Sequence, residues 1–272
     1  MGKYIARRTL LVIPVLFIVS VITFSIMQLA PGDPAAIVLG GDYIMYATVE
    51  EIEEVRKNMG IDRPPVEQYF SWLGGFFVGE LGKSLFTTES VSLLVSQKIE
   101  ATISTVFSGI TLALLFGIPM GVLAGWKMNT WIDRSVMVFA VLGFAIPGFW
   151  LAFNLIFLFS LKLGWFPVFG FRSLITDGPI EFLRYITLPG ITLGVAFMAL
   201  IARMTRSSLV EVLSEDYIRT ARAKGLSERI VLIRHALRAA SMPVVTVIGL
   251  VFAAAVTGTV ITESVFAIPG MG

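Results

Sequence analysis

Few side chains in this 272-residue sequence are equipped for covalent chemistry. There is no cysteine, which removes a thiol nucleophile, a thiolate-bound metal and any disulfide framework. The single histidine, His235, is too little for a histidine-built metal site or a Ser-His-Asp relay, and no His-Glu-x-x-His run occurs. Gly79-Glu80-Leu81-Gly82-Lys83-Ser84 has the closing residues of a phosphate-binding loop, but the pattern requires glycine at position 77 and the sequence has Phe77. No catalytic, metal or cofactor site is therefore expected on this chain. The net charge of +2, from 21 Lys and Arg against 19 Asp and Glu, is also too small to suggest nucleic acid as a partner.

The polar chemistry that remains is recognition, and it concentrates in residues 203–238, with 8 basic and 4 acidic side chains. Ser214 or Asp216 is placed to cap a short helix through Tyr217–Lys224, and Gly225 is its C-terminal stop. Ser227 is placed to cap a second helix, on which Leu226, Ile230, Ile233 and Leu237 form one apolar stripe, with Arg229, Arg234 and Arg238 mostly elsewhere. A helix–Gly–helix segment is more than a turn requires. Two readings stand side by side: a docking element for a soluble protein, or a basic segment lying on anionic lipid.

The elements that position this segment are membrane helices. The chain is 56% hydrophobic and 15% charged, with a mean hydropathy of +0.84. Soluble domains run at about 45–50% apolar and about 25% charged. Five stretches carry no charge: 9–32, 101–126, 135–161, 185–202 and 239–262. A crossing needs about 20 mostly apolar residues, so all five are candidate spans, the fourth being the shortest. The first is too long for the apolar core of a cleaved signal peptide and is expected to be retained. The expected fold is an all-α integral membrane protein, a polytopic helical bundle forming one transmembrane domain over 1–272.

Basic residues favour the cytoplasmic side. Lys3, Arg7 and Arg8 place the N-terminus inside. Alternation then puts 31–100, with 11 acidic and 5 basic residues, outside the cytoplasm, and 203–238 inside. In the outer segment Pro31-Gly32-Asp33-Pro34 stops the first helix, and Thr48-x-x-Glu51 is a capping box for a helix that Gly60 ends. Ile52, Val55 and Met59 share one face of that helix. The following stretch, with Tyr69, Phe70, Trp72, Phe76 and Phe77, reads equally as an interfacial helix or as a docking surface for an extracytoplasmic partner.

Gly117, Gly121 and Gly125 form a doubled small-xxx-small ridge, which lets another helix approach closely. Pro119, Pro147-Gly148 and Pro189-Gly190 are helix breakers of a kind that suits moving or cavity-lining helices, although membrane helices are rich in Gly and Pro in any case. No ionisable residue lies inside any charge-free run. A proton- or ion-coupled transporter usually keeps one there, which disfavours a self-sufficient secondary transporter.

The stretch Ser214-Glu215-Asp216-Tyr217-Ile218-Arg219-Thr220-Ala221-Arg222-Ala223-Lys224-Gly225-Leu226-Ser227 resembles the cytoplasmic loop of ABC importer permeases of the dipeptide/oligopeptide/nickel class. Further landmarks follow in order: Arg7-Arg8 with Ile13-Pro14; Pro31-Gly32-Asp33-Pro34; Gly60-Ile61-Asp62-Arg63-Pro64 with Gln68-Tyr69, Gly82 and Ser84; and Glu263-Ser264-Val265-Phe266-Ala267-Ile268-Pro269-Gly270-Met271-Gly272. The generic importer loop reads Glu-Ala-Ala-x-x-x-Gly. Here Ala221 and Gly225 match, while Arg219 and Thr220 replace Glu and the first Ala, as in the peptide-type variant.

The resemblance implies an ATP-coupling role for Asp216, Tyr217, Arg219, Thr220, Ala221, Arg222, Ala223, Lys224 and Gly225. It implies a multi-pass protein of a bacterial or archaeal inner membrane. Its implied partners are a second homologous permease, two ATP-binding subunits and an extracytoplasmic solute-binding protein, within membrane lipid. ATP and Mg would be held by the ATP-binding subunits. The family usually has six spans, so a sixth is expected beyond Gly272. The rival readings are a stand-alone channel or secondary transporter for a small solute, and a membrane scaffold without transport.

Overall fold

The computed structural model describes residues 2–39, 48–84, 87 and 89–272; residues 1, 40–47, 85, 86 and 88 lie outside the described residues. The helices are α1 (Gly2–Leu29), α2 (Pro34–Val38), α3 (Val49–Met59), α4 (Pro65–Val78), α5 (Val91–Trp126), α6 (Trp131–Ala145), α7 (Gly148–Leu155), α8 (Pro179–Leu213), α9 (Asp216–Ala223), α10 (Glu228–Ile230) and α11 (Leu237–Val265). The described residues contain no strand, only one isolated antiparallel bridge between Lys83 and Ser90. The chain divides into two compact units, Met1–Ser96 and Gln97–Gly272.

In the first unit α1 is strongly apolar over Ile5–Leu29 and packs against α4. The aromatic stretch forms α4 and does not use all its rings in the same way. Tyr69 is buried, with its hydroxyl 2.8 Å from Ser20 Oγ and its ring edge-on to Phe24 at 5.5 Å. Phe70, Phe76 and Phe77 remain exposed. The capping box is formed: the Glu51 N–H donates to Thr48 Oγ1 and the Thr48 N–H donates to the Glu51 carboxylate. Gly60 closes α3 in the left-handed region at φ 69°. Arg56 of α3 donates to Asp33 at 2.6 Å, and the Ala35 N–H donates to the same carboxylate at 3.0 Å. The Arg56 hydrogen bond, then the Ala35 N–H, hold the Asp33 carboxyl below its ordinary pKa.

The second unit is built on α5, α8 and α11. Val106, Ile110 and Ala113 of α5, Leu193 and Ile201 of α8, and Val251 and Ala255 of α11 share one buried cluster. The glycine ridge of α5 makes this contact. A Cβ on Gly117 would lie 2.9 Å from the Met198 carbonyl oxygen, and one on Gly121 would lie 2.5 Å from that of Ala202 and 2.6 Å from Thr205 Cβ. One on Gly125 would meet Leu209 Cδ2 at 3.0 Å. The three glycines thus face α8 in succession, one turn apart.

The helices are longer than the charge-free runs. α5 has 36 residues and reaches about 54 Å at about 1.5 Å per residue. The third run is not one straight helix: α6 and α7, the latter continuing as a π-helix over Ile156–Lys162, meet at 99°. Proline at 147 explains the break, because it has no N–H to donate and forces Ile146 out of the helical region, to φ −74° and ψ 124°. Among the described residues four helices are long and apolar enough to cross a membrane, or five if the bent pair counts as one.

Two buried ionisable groups lie just beyond the ends of the charge-free runs, on the helices that extend past them. Glu263, in the last turn of α11, is only 2% exposed. It accepts from Thr102 Oγ1 at 2.6 Å and from the Gly272 N–H at 2.8 Å, while Thr102 Oγ1 itself accepts from the Met271 N–H. A side chain at Gly270 would overlap the Glu263 carboxylate. Phe266 and Ile268 of the same segment are buried with Ala152, Ile156 and Leu188. Asp133, at the start of α6, is the second such group.

Two predictions follow from these contacts. Gly121→Leu forces α5 away from α8; unfolding of the purified complex in detergent should show a loss of about 1–3 kcal/mol or more, whereas Gly74→Leu, with open space around it, should not. The second concerns Asp33, whose pKa is depressed, so its contribution is full above the ordinary carboxylate value and lost as pH falls through the depressed one. The exchange protection of the Ala35 amide should accordingly stay constant from pH 7 to about pH 5 and fall only in stronger acid, and Asp33→Asn should remove that acid step.

Candidate functional site

Residues 203–238 are largely extensions of two membrane-length helices. α8 runs on to Leu213, and α10, a π-helical stretch over Val231–Ala236 and α11 form one continuous element from Glu228. Only the short helix α9 and its flanking turns stand between them. The second expected helix is therefore the beginning of the last long one.

The π-helix also changes which face is buried. Its i→i+5 bonds, such as Leu237 N–H to Leu232 O, shift the register expected from a 3.6-residue period. Ile230 and Ile233, expected on the apolar stripe, are exposed, and Val231, Leu232, Ala236 and Ala240 are buried instead. Ser227 precedes α10 but its side chain makes no capping bond.

α9 has an unusual start and a well-made end. Neither Ser214 nor Asp216 caps it through its side chain; Glu215 is the N-cap residue, and Ser214 Oγ donates back to the Glu211 carbonyl. Asp216 instead lies in the first turn, where a negative charge favours the helix dipole, 3.4 Å from Arg219. At the other end the Gly225 N–H donates to Arg222 O and the Leu226 N–H to Ala221 O, a Schellman pair. Gly225 has φ 78°, which a side chain at this position would strain.

Two faces result. Ile218 and Ala221, three residues apart, are buried against Leu209, Val231, Leu232 and Ala236, with Val122 and Trp126 of α5 packed alongside. Tyr217, Arg219, Thr220, Arg222, Ala223 and Lys224 face outward; Tyr217 is 46% exposed and the Arg219 side chain 72%. Arg222 makes a two-pronged pair with Glu228 at 2.8 and 3.3 Å, which ties the outer face to the start of α10.

Ala221 is thus a packing residue under α9 rather than part of its exposed face. Ile218 was not among the residues singled out, although its i,i+3 spacing to Ala221 carries the signal. The exposed face joins an aromatic ring, cations and a hydroxyl on a helix fixed from below. It can bind a partner surface, and it contains no arrangement for bond making.

The near-match to a phosphate loop has several of its backbone donors already taken within the chain. The N–H groups of Glu80, Leu81 and Ser84 go to Gly75 O, Ser92 Oγ and Glu89 O. Among the described residues no group of three His, Asp or Glu is placed to hold a metal ion.

Long apolar helices, with no strand among the described residues, define an all-α polytopic membrane protein. Residues 117–272 match the family described as binding-protein-dependent transport system inner membrane component, and residues 1–111 match its N-terminal part, so the chain belongs to that family of ABC transporter permeases. It is a transport subunit, and ATP hydrolysis resides in separate subunits. Among its relatives is the dipeptide transport system permease protein DppB of Alkalihalophilus pseudofirmus, 37% identical over 291 residues that cover 100% of this chain and 86% of the relative. The glutathione transport system permease protein GsiC of Escherichia coli is 40% identical over 272 residues, covering 100% of this chain and 85% of the relative.

The two faces of α9 should respond differently to truncation. Ile218→Ala removes packing from a fully buried site and should cost about 2 kcal/mol or more of local stability, seen as faster amide exchange through α9. Arg219→Ala, on the exposed face, should stay within about 0.5 kcal/mol.

Proposed function

We propose that this chain forms half of the translocation pathway of an importer that takes up di- or oligopeptides, and that α9 is the element through which ATP hydrolysis drives it. The observation that carries this is the two-faced construction of α9, buried through Ile218 and Ala221 and exposing Tyr217, Arg219, Thr220, Arg222 and Lys224. A turn between two membrane helices has no need of such a face. The peptide substrate rests on relatives whose names specify dipeptide and glutathione.

In this reading the N-terminus and α9 lie in the cytoplasm of a bacterium or archaeon, and the segment 31–100 lies outside, facing a solute-binding protein. A second homologous permease completes the pathway. Two ATP-binding subunits hold ATP and Mg, and one of them receives α9. The five spans expected from sequence, with α6 and α7 as a broken third, alternate between inward- and outward-facing arrangements as those subunits close and open. A stand-alone channel or secondary transporter would have no use for the exposed face of α9.

Gly225 provides the test. Its φ of 78° sets the end of α9, so Gly225→Val should displace the helix while leaving the membrane helices intact. In the complete transporter reconstituted in liposomes, peptide uptake should fall at least tenfold while basal ATP hydrolysis persists. Unchanged ATP-dependent uptake would refute the role of α9, and uptake that needs no ATP would favour the channel or secondary transporter.

A further inference from the structure

Asp133 is a buried carboxylate with a committed partner. Its side chain is 5% exposed, and Arg206 of α8, 27% exposed, reaches it with two prongs: Nε to Oδ1 at 2.5 Å and a terminal nitrogen to Oδ2 at 2.8 Å. The same carboxylate accepts from the Asn129 N–H at 2.9 Å. Asn129 stands at φ 65°, in the left-handed region, in the turn between α5 and α6. One carboxylate therefore fastens that turn and the first turn of α6 to α8.

The position of Arg206 gives the pair its meaning. Leu209, three residues further along α8, is the fully buried side chain on which Ile218 of α9 rests, and Trp126 at the end of α5 packs in the same cluster. Gly125 of α5 lies against Leu209 and the Arg206 carbonyl. α9, the end of α8 and the end of α5 thus form one packed block. α6 joins that block at its own first turn through Asp133. From there α6 leads to the 99° break before α7. A long arginine and a buried carboxylate are costly to place here unless paired, and breaking such a pair leaves a charge without compensation.

We propose that Asp133 and Arg206 are positioning residues for energy coupling: they clamp α6 to α8, so that displacement of α9 is passed to the broken helix pair α6–α7. The proposal rests on the reading of α9 as the element that ATP hydrolysis drives. Further along, α6 also packs on α8 where Gly143 lies against Val195 and Ala199, so without the clamp it is the first turn of α6 that no longer follows the end of α8, and hydrolysis proceeds with little transport.

The test uses the complete transporter in liposomes and measures solute taken up per ATP hydrolysed. Asp133→Asn keeps the acceptor for the Asn129 N–H and removes the charge, and Arg206→Gln removes the other partner. Each should lower uptake per ATP at least tenfold. The double variant Asp133→Asn with Arg206→Gln leaves no unpaired buried charge, so its thermal midpoint should recover towards that of the parent while uptake per ATP stays low. A structural role alone would let both recover together, and that result overturns the proposal. So does uptake per ATP unchanged in the single variants, or uptake and hydrolysis falling in proportion. Gly225→Val in the same series separates the two readings: if it uncouples and the Asp133 and Arg206 variants do not, α9 keeps its role and the clamp is wrong; if it does not uncouple, the role of α9 itself fails.

Discussion

In a bilayer two helices gain nothing from hiding apolar surface from each other, because lipid is as apolar as they are; they hold together only by fitting closely. Gly117, Gly121 and Gly125 meet this constraint. They let the backbone of α5 come down on α8 at distances where any side chain would collide with the Met198 or Ala202 carbonyl. The rest of the second unit follows from that approach. It brings Val106, Ile110 and Ala113 within reach of Leu193, Ile201 and α11, and it sets the ends of α5 and α8 side by side. Val122, Trp126 and Leu209 then form a platform, and Ile218 and Ala221 of α9 rest on it.

The two buried carboxylates among the described residues of the second unit sit near helix ends, and each has several hydrogen-bond partners. Asp133 takes Arg206 and a backbone N–H at one helix start. Glu263 takes Thr102 and the backbone of 271–272 at one helix end. Both tie a stretch outside the helices to a helix other than the one the group belongs to. Hydrocarbon makes unsatisfied polar groups expensive, so such ties are selective: the segment either adopts the geometry that satisfies them or does not stay.

Much of this was legible in the sequence. Charge-free runs marked the long helices, Thr48 and Glu51 marked a helix start, and Gly60 and Gly225 marked two ends, because each of these signals is local. The bend within residues 131–162 was only half legible: Pro147 announced a break, but a proline does not specify an angle as large as 99°. The apolar stripe Leu226, Ile230, Ile233 and Leu237 misled because a π-helix does not keep a 3.6-residue period, and nothing in the local composition betrays the extra residue. Ala221 looked like a contact residue and lies underneath, since a family motif does not say which way a small side chain points. The Asp133–Arg206 pair was invisible, with 73 residues separating the partners.

The reading of α9 as the point where ATP-hydrolysing subunits take hold can be tested on the chain almost as it stands, because it has no cysteine to remove. Single cysteines at Tyr217, Arg219 and Lys224 would sit on the outward face of α9, and one at Ile218 would sit beneath it. Thiol cross-linking in the assembled transporter should join the first three to an ATP-binding subunit, in yields that change with ATP, and should leave the fourth unjoined. Absence of any such product, with the outward positions labelled instead by a lipid-soluble thiol reagent, would place α9 on the membrane surface and contradict its role in coupling.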